Sequence, residues 1–189
     1  MATYDGAQVW LVRHGETEWS KSGKHTSTTD LDLTPIGVEV ARGLEERLAG
    51  EEFGLVLTSP RRRARVTADL AGFPDAQVDG NLVEWAYGEY EGITTPEIRE
   101  TVPGWTIWTH PAPGGETAQQ VTDRLDRVID RVREQDRVLV FSHGHALRAL
   151  AARWIKQPVG EGRFFALDTS TISVLGFDRG SPVILRWNA

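Results

Sequence analysis

The chain has 189 residues, 40% apolar and 25% charged, with 27 acidic against 21 basic side chains and a net charge of −6. That length and composition suit one domain burying roughly 70% of its unfolded surface, and argue against a disordered chain. The lack of cysteine excludes a disulfide scaffold and Cys-ligated zinc, and the acidic balance argues against a nucleic-acid partner.

The first predicted element is the apolar run QVWLV (8–12), a buried strand that passes directly into Arg13-His14-Gly15-Glu16. A buried strand that hands over to a cation and an imidazole marks the mouth of a site. Thr34-Pro35 then opens a helix, as N-cap and first-turn proline, with Val38, Ala41, Leu44 and Leu48 at helical spacing. GLVLTS (54–59) is a second strand, and a helix starts after Ser59-Pro60 and runs through Ala64, Thr67, Ala68 and Ala71.

Residues 80–116 break the alternation. They are rich in Gly, Pro, Trp and Tyr, with one short helix expected near Pro96–Thr101, and read as a lid or substrate-side insertion. Val121, Leu125, Val128 and Val132 stripe the next helix. RVLVFS (137–142) is a strand, followed after His143-Gly144 by a helix through Leu147, Leu150, Ala151 and Trp154. TISVLGF (171–177) and PVILRW (182–187) flank Asp178-Arg179-Gly180-Ser181 as a strand–turn–strand. Strand–helix alternation predicts a single α/β domain over 1–189, a three-layer α/β/α sandwich with a mostly parallel central sheet.

Three charged motifs fall at strand ends, where ligands bind in open α/β sheets. His14 and His143 each precede a glycine, which permits close backbone approach to a ligand. Arg61-Arg62-Arg63 opposes the helix dipole at a helix start; two of these read as a solvated face, and one as a donor fork turned toward the site. Arg13, one arginine of that run, two imidazoles and helix amides suit a dianion, and a phosphoryl group fits best. The pair His143-x-His145 offers a metal as the rival. No Asp/His cluster follows it, and Arg13 would repel a dication, so neither metal nor other cofactor is expected.

LVRHGETEWS, LTPIG, TSPRRRARVTA, LVEWAYGEYEG and FSHGHALRAL, in this order across nearly the whole chain, resemble the histidine phosphatase superfamily in its phosphoglycerate mutase-like branch. The chain is similar overall to small bacterial acid phosphatases of that branch, and WSKSGKHTSTTDLDLT resembles sedoheptulose-bisphosphatase-type members. The resemblance implies that His14 becomes phosphohistidine, that Arg13 and Arg63 bind the phosphoryl oxygens with Gly144 beside them, and that His143 is the second histidine of the pocket. It implies Glu84 as proton donor; spacing alone does not choose among Glu84, Glu89 and Glu91. Ser20, where many mutases carry Asn, and Tyr87 fall on the substrate side. Glu16, Thr17 and Ser22 are further candidates for pocket walls or ordinary loop packing. His25, His110 and His145 are read as structural, with His145 near the site, and Trp85, Trp105 and Trp108 as lid packing.

The expected activity is metal-independent hydrolysis of a small phosphorylated metabolite. The alternatives are mutase-type phosphoryl transfer and non-catalytic binding of a phospho-ligand. Trp85-Ala86 stands where mutases carry Arg-His after the acid, the middle is short and no long tail follows Trp187, which favours water as acceptor. Pure binding would need no nucleophile or acid. No run reaches the ~18 apolar residues of a membrane span, and residues 1–15 lack the pattern of an export signal. The expectation is a cytoplasmic protein without membrane or nucleic-acid partners, whose exposed edge strand allows a homodimer.

Overall fold

A computed structural model describes residues 6–189; residues 1–5 of the expected domain span lie outside the described residues. Six strands form one sheet: β1 (Gln8–Arg13), β2 (Leu55–Thr58), β3 (Gln77–Val78), β4 (Arg137–Ser142), β5 (Ile172–Asp178) and β6 (Ser181–Arg186), in the order β3-β2-β4-β1-β5-β6. β3, β2, β4 and β1 pair in parallel, whereas β5 and β6 add antiparallel. The sheet is therefore mixed, and mostly parallel as expected.

Alternation along the strands sends side chains to opposite faces. Val9, Leu11, Val138 and Val140 face one core with Val121, Leu125, Val128, Leu147, Leu150 and Trp154 from α5 (Ala118–Arg133) and α6 (Gly144–Trp154). Trp10, Val12, Leu139 and Phe141 face a second core with Leu44, Leu48, Ala68 and Ala71 from α2 (Pro35–Leu48), α3 (Arg62–Leu70) and the residue after α3. Helices thus cover both faces, and each fully buried large apolar side chain contributes about 1.5–3 kcal/mol.

Local chemistry sets the ends of these elements. Thr34 caps α2 by accepting from Gly37 N, and Thr117 with Gln120 closes a capping box on α5; losing such a cap costs about 1 kcal/mol. The β5–β6 turn places Arg179 and Gly180 at φ 50° and 79°, the doubly positive geometry of a tight hairpin turn. Outside the 80–116 segment, three elements were not expected from the sequence. They are the short helix α1 (Glu18–Ser22), the two-residue edge strand β3 and a 3-10 segment at Val159–Phe164. All three are too short for a periodic pattern to register. On α2 it is Gly37, not Val38, that is buried, because that turn packs against the backbone of Glu16; an added Cβ on Gly37 would lie 2.3 Å from the Glu16 carbonyl oxygen.

The 80–116 segment holds α4 (Thr95–Thr101), as expected, and two 3-10 turns that were not, at Gly80–Leu82 and Gly88–Tyr90. Its tryptophans pack rather than project: Trp85 and Trp105 are fully buried, and Trp108 meets Trp85 edge-on.

Candidate active site

β2, β4 and β1 lie side by side and end in step, with Thr58 opposite Phe141 and Arg13 opposite Ser142. The residues just past those ends therefore converge. His14 N donates to Ser142 O at 3.0 Å, and Ser59 N donates to Phe141 O at 2.9 Å. This register brings His14, His143 and Ser59 together, although 84 positions separate Ser59 from His143.

The rings of His14 and His143 meet edge-on with centroids 5.1 Å apart. His14 Nδ1 lies 2.8 Å from the carbonyl oxygen of Gly15. A carbonyl can only accept, so the neutral ring carries its proton on Nδ1 and leaves the Nε2 lone pair free. Burial, then Arg63 and Arg13, hold its pKa well below the ordinary imidazole range. Burial, then Arg63 and His14, do the same for His143. His143 Nε2 lies 2.7 Å from Ser59 Oγ, while Nδ1 is buried without a partner among the described residues.

The arginine run divides as expected in part. Arg62 is exposed and pairs with Asp32, and its backbone N–H donates to Asp30. Arg63 is wholly buried, its Nη atoms donating to the carbonyls of Thr26, Ser27 and Thr29. Arg61 departs from the solvated face, being half-buried with Nε enclosed. The Nε atoms of Arg13 and Arg63 are likewise buried and unpaired among the described residues. Unpaired buried donors around two imidazoles are the signature of a site for an oxyanion. The Arg13 guanidinium donates to Leu167 O and packs on Gly144, where a Cβ would lie 3.4 Å from it.

Glu84 is 6% exposed and lies at the N-terminus of α6. Its Oε1 accepts from Trp85 N at 2.9 Å and Ala146 N at 2.7 Å, and its Oε2 accepts from His145 N at 3.0 Å. The rival acids lie elsewhere. Glu89 is exposed, and Glu91 is spent on Ser27 and Thr29.

Arg13, His14, Glu84 and Gly144 line a cavity of about 180 Å³, with Ser20 and Tyr87 on its wall, whereas Arg63 and His143 do not line it. Ser20 Oγ is engaged with the Thr17 backbone, and Tyr87 OH lies 2.5 Å from His145 Nδ1. Glu16, Thr17 and Ser22 do not line the cavity: Glu16 accepts from Thr34, Thr17 caps α1 and Ser22 donates to Glu18 O. His25, read as structural, does line it, as do Lys24, Arg148 and Leu167, which the sequence reading missed. Arg148 stands four residues after Gly144 on one helix face, a spacing that offered a signal; Leu167 offered none. His145 turns to Tyr87 and His143 to Ser59, and among the described residues no three His, Cys, Asp or Glu side chains gather as a metal-ligand set.

The family model of the histidine phosphatase superfamily (branch 1) matches residues 9–189. The chain belongs to that superfamily. It is 46% identical over 180 residues to an acid phosphatase of Mycobacterium tuberculosis, covering 92% of this chain and 88% of the relative. It is 42% identical over 178 residues to a sedoheptulose 1,7-bisphosphatase of Saccharomyces cerevisiae, covering 76% of this chain and 66% of the relative. The solved structure of a Mycobacterium tuberculosis open reading frame superposes with a TM-score of 0.93 at 41% identity, over 97% of this chain and 98% of that one. This histidine phosphatase is a phosphomonoesterase with the α/β fold of its family.

Proposed function

We propose that the enzyme hydrolyses phosphomonoesters of small metabolites through a phosphohistidine on His14, without a metal. The observation that carries the reading is the Nδ1–Gly15 hydrogen bond, which orients a neutral imidazole with a free Nε2 beside the enclosed donors of Arg13, Arg63 and His143. In the first step the Nε2 lone pair bonds to phosphorus as the ester P–O bond breaks. Arg13, Arg63 and His143 stabilise the equatorial oxygens.

The departing oxygen takes a proton from Glu84. A carboxylate offers about four lone-pair sites, and the three amide contacts occupy two on Oε1 and one on Oε2. One site on Oε2 is left to hold that proton. In the second step water attacks phosphorus, the Glu84 carboxylate takes its proton, and the P–N bond breaks to release phosphate.

The size and charge of the cavity support a small anionic substrate. Lys24 and Arg148 stand on the wall besides Arg13, and among the described residues Glu84 is the one lining carboxylate. Arg148 is fixed over the Trp108 ring at 4.7 Å, and Nε donates to Gly162 O. A substrate with a second anionic group suits that wall, as in the sugar bisphosphate named for the yeast relative.

The test is phosphate release over a panel of phosphorylated metabolites with a mutase assay in parallel, together with trapping of acid-labile phosphoryl label on the protein. Label on His14 and release of phosphate to water support the reading. Turnover without label, or transfer to a second hydroxyl in place of hydrolysis, overturns it.

A further inference from the structure

Glu84 sits in a stretch with no regular secondary structure, between the 3-10 turns at Gly80–Leu82 and Gly88–Tyr90, with Val83 extended at φ −62° and ψ 159°. Such a segment does not hold a side chain by itself, and a proton donor must be placed to within a fraction of an ångström. What fixes it comes chiefly from outside the cavity.

Arg124 on α5 is 5% exposed and grips Glu116 through two bonds, Nε to Oε1 at 2.7 Å and Nη2 to Oε2 at 3.0 Å. The remaining contacts of this pair reach both flanks of Glu84. On the near side Arg124 Nη1 donates to Asn81 O at 2.8 Å. On the far side Ala86 N donates to Glu116 Oε2 at 2.9 Å, Trp85 Nε1 donates to Glu116 O at 2.9 Å, and Glu116 N donates to Ala86 O at 3.0 Å. Ser142 Oγ adds a bond to Leu82 O at 2.7 Å.

The loop before Glu116 is fitted to the same stretch. A Cβ on Gly115 would lie 2.3 Å from Ala86 O, and one on Gly88 would lie 2.0 Å from Pro113 O. Neither Arg124 nor Glu116 lines the cavity, so neither touches substrate.

We infer that the Arg124–Glu116 pair is a positioning element for the proton donor, a bracket that fixes the backbone on both sides of Glu84 and so holds its carboxyl against the α6 amides. The inference rests on the reading of Glu84 as the acid. A purely structural ion pair would affect every substrate and the phosphate site alike. A positioning pair acts on the step that protonates the leaving oxygen.

The experiment compares alkyl phosphates, whose leaving oxygen needs a proton, with p-nitrophenyl phosphate, whose leaving group needs little. Arg124→Met should slow the alkyl esters at least about tenfold more than the nitrophenyl ester, part of the 10²–10⁴-fold effect of general acid catalysis. The inhibition constant of inorganic phosphate should stay within about twofold of wild type. Glu116→Gln keeps the shape and an acceptor for Ala86 N but loses the ion pair. It should show the same discrimination to a smaller degree, and it carries the test if Arg124→Met does not fold, as judged by circular dichroism and melting. In a Glu84→Gln background neither change should add discrimination, because the donor is already gone.

If Glu84→Gln discriminates between the esters while the bracket variants slow both equally, the inference fails and the acid assignment stands. If Glu84→Gln slows both esters equally, the acid assignment and the inference fall together.

Discussion

The imidazoles of His14 and His143 meet edge-on at 5.1 Å, held there by the parallel register of β1 and β4, whose last residues, Arg13 and Ser142, lie opposite each other. Each histidine is the first residue beyond its strand, so the contact follows from two strands ending in step. The two rings are not interchangeable. His14 presents a free Nε2 because Nδ1 is tied to Gly15 O, whereas Nε2 of His143 is engaged with Ser59.

If His14 is the nucleophile proposed above, His14→Ala should lower turnover by at least about a thousandfold, since removal of a nucleophile acting as one unit with its partners removes most of the catalysis. The folded state should persist, and acid-labile phosphoryl label should disappear. Near-normal turnover in a folded variant would remove the covalent mechanism.

Within the arginine run the effects should be unequal. Arg63→Ala should weaken inhibition by inorganic phosphate by about 2 kcal/mol, roughly thirtyfold, for loss of a charge-assisted contact. It should also loosen the loop whose Thr26, Ser27 and Thr29 carbonyls it holds. Arg62→Ala, at an exposed side chain paired with Asp32, should change binding by less than about 0.5 kcal/mol. Arg61→Ala should fall between. Equal inhibition constants across the three would make the run a diffuse basic face.

Arg148→Gln should narrow the proposed preference for substrates bearing a second anionic group. The ratio of kcat/KM for a sugar bisphosphate over the matching monophosphate should drop by about tenfold, the size expected for one charged contact on a half-buried wall. A ratio identical to that of wild type would leave Arg148 as packing for Trp108 alone.

Stability should fall in mild acid. The pKa of His25 is lowered to about 4, chiefly by burial, and burial also lowers those of His14, His143 and His145. Unfolded imidazoles titrate near about 6.5, so below that the unfolded chain binds more protons than the folded one. Stability present in full above the unfolded value is lost as pH falls through it, and for His25 the loss continues to about 4. Each histidine contributes up to about 1.4 kcal/mol per pH unit. Denaturation midpoints from about pH 8 to about pH 4 measure the slope, and His25→Gln should lower it by about one proton's worth. A slope unaltered by that variant would show that His25 titrates alike in both states.

Dialysis against a chelator should leave hydrolysis intact, because in the proposed mechanism Arg13 and Arg63 supply the positive charge facing the phosphoryl oxygens. Loss of activity restored by a single added divalent ion would replace this mechanism with a metal-assisted one.

Much of this architecture was legible in the amino-acid sequence, because its signals are local. Strand and helix periods, the Thr34 cap and the turn signal at Asp178-Arg179-Gly180-Ser181 act over a few residues. The placing of Arg13, His14 and His143 at strand ends was legible for the same reason. The resemblance to a family, not spacing, singled out Arg63 and Glu84.

Only the tertiary structure decided the rest. That Arg63 is buried depends on carbonyls more than thirty positions upstream, and that Glu84 reaches the cavity depends on α6 amides about sixty positions downstream. The wall formed by His25, Arg148 and Leu167 draws on three separate segments. No pattern within one segment encodes such meetings: side-chain direction follows from packing and register, and these exist only once the chain has closed on itself.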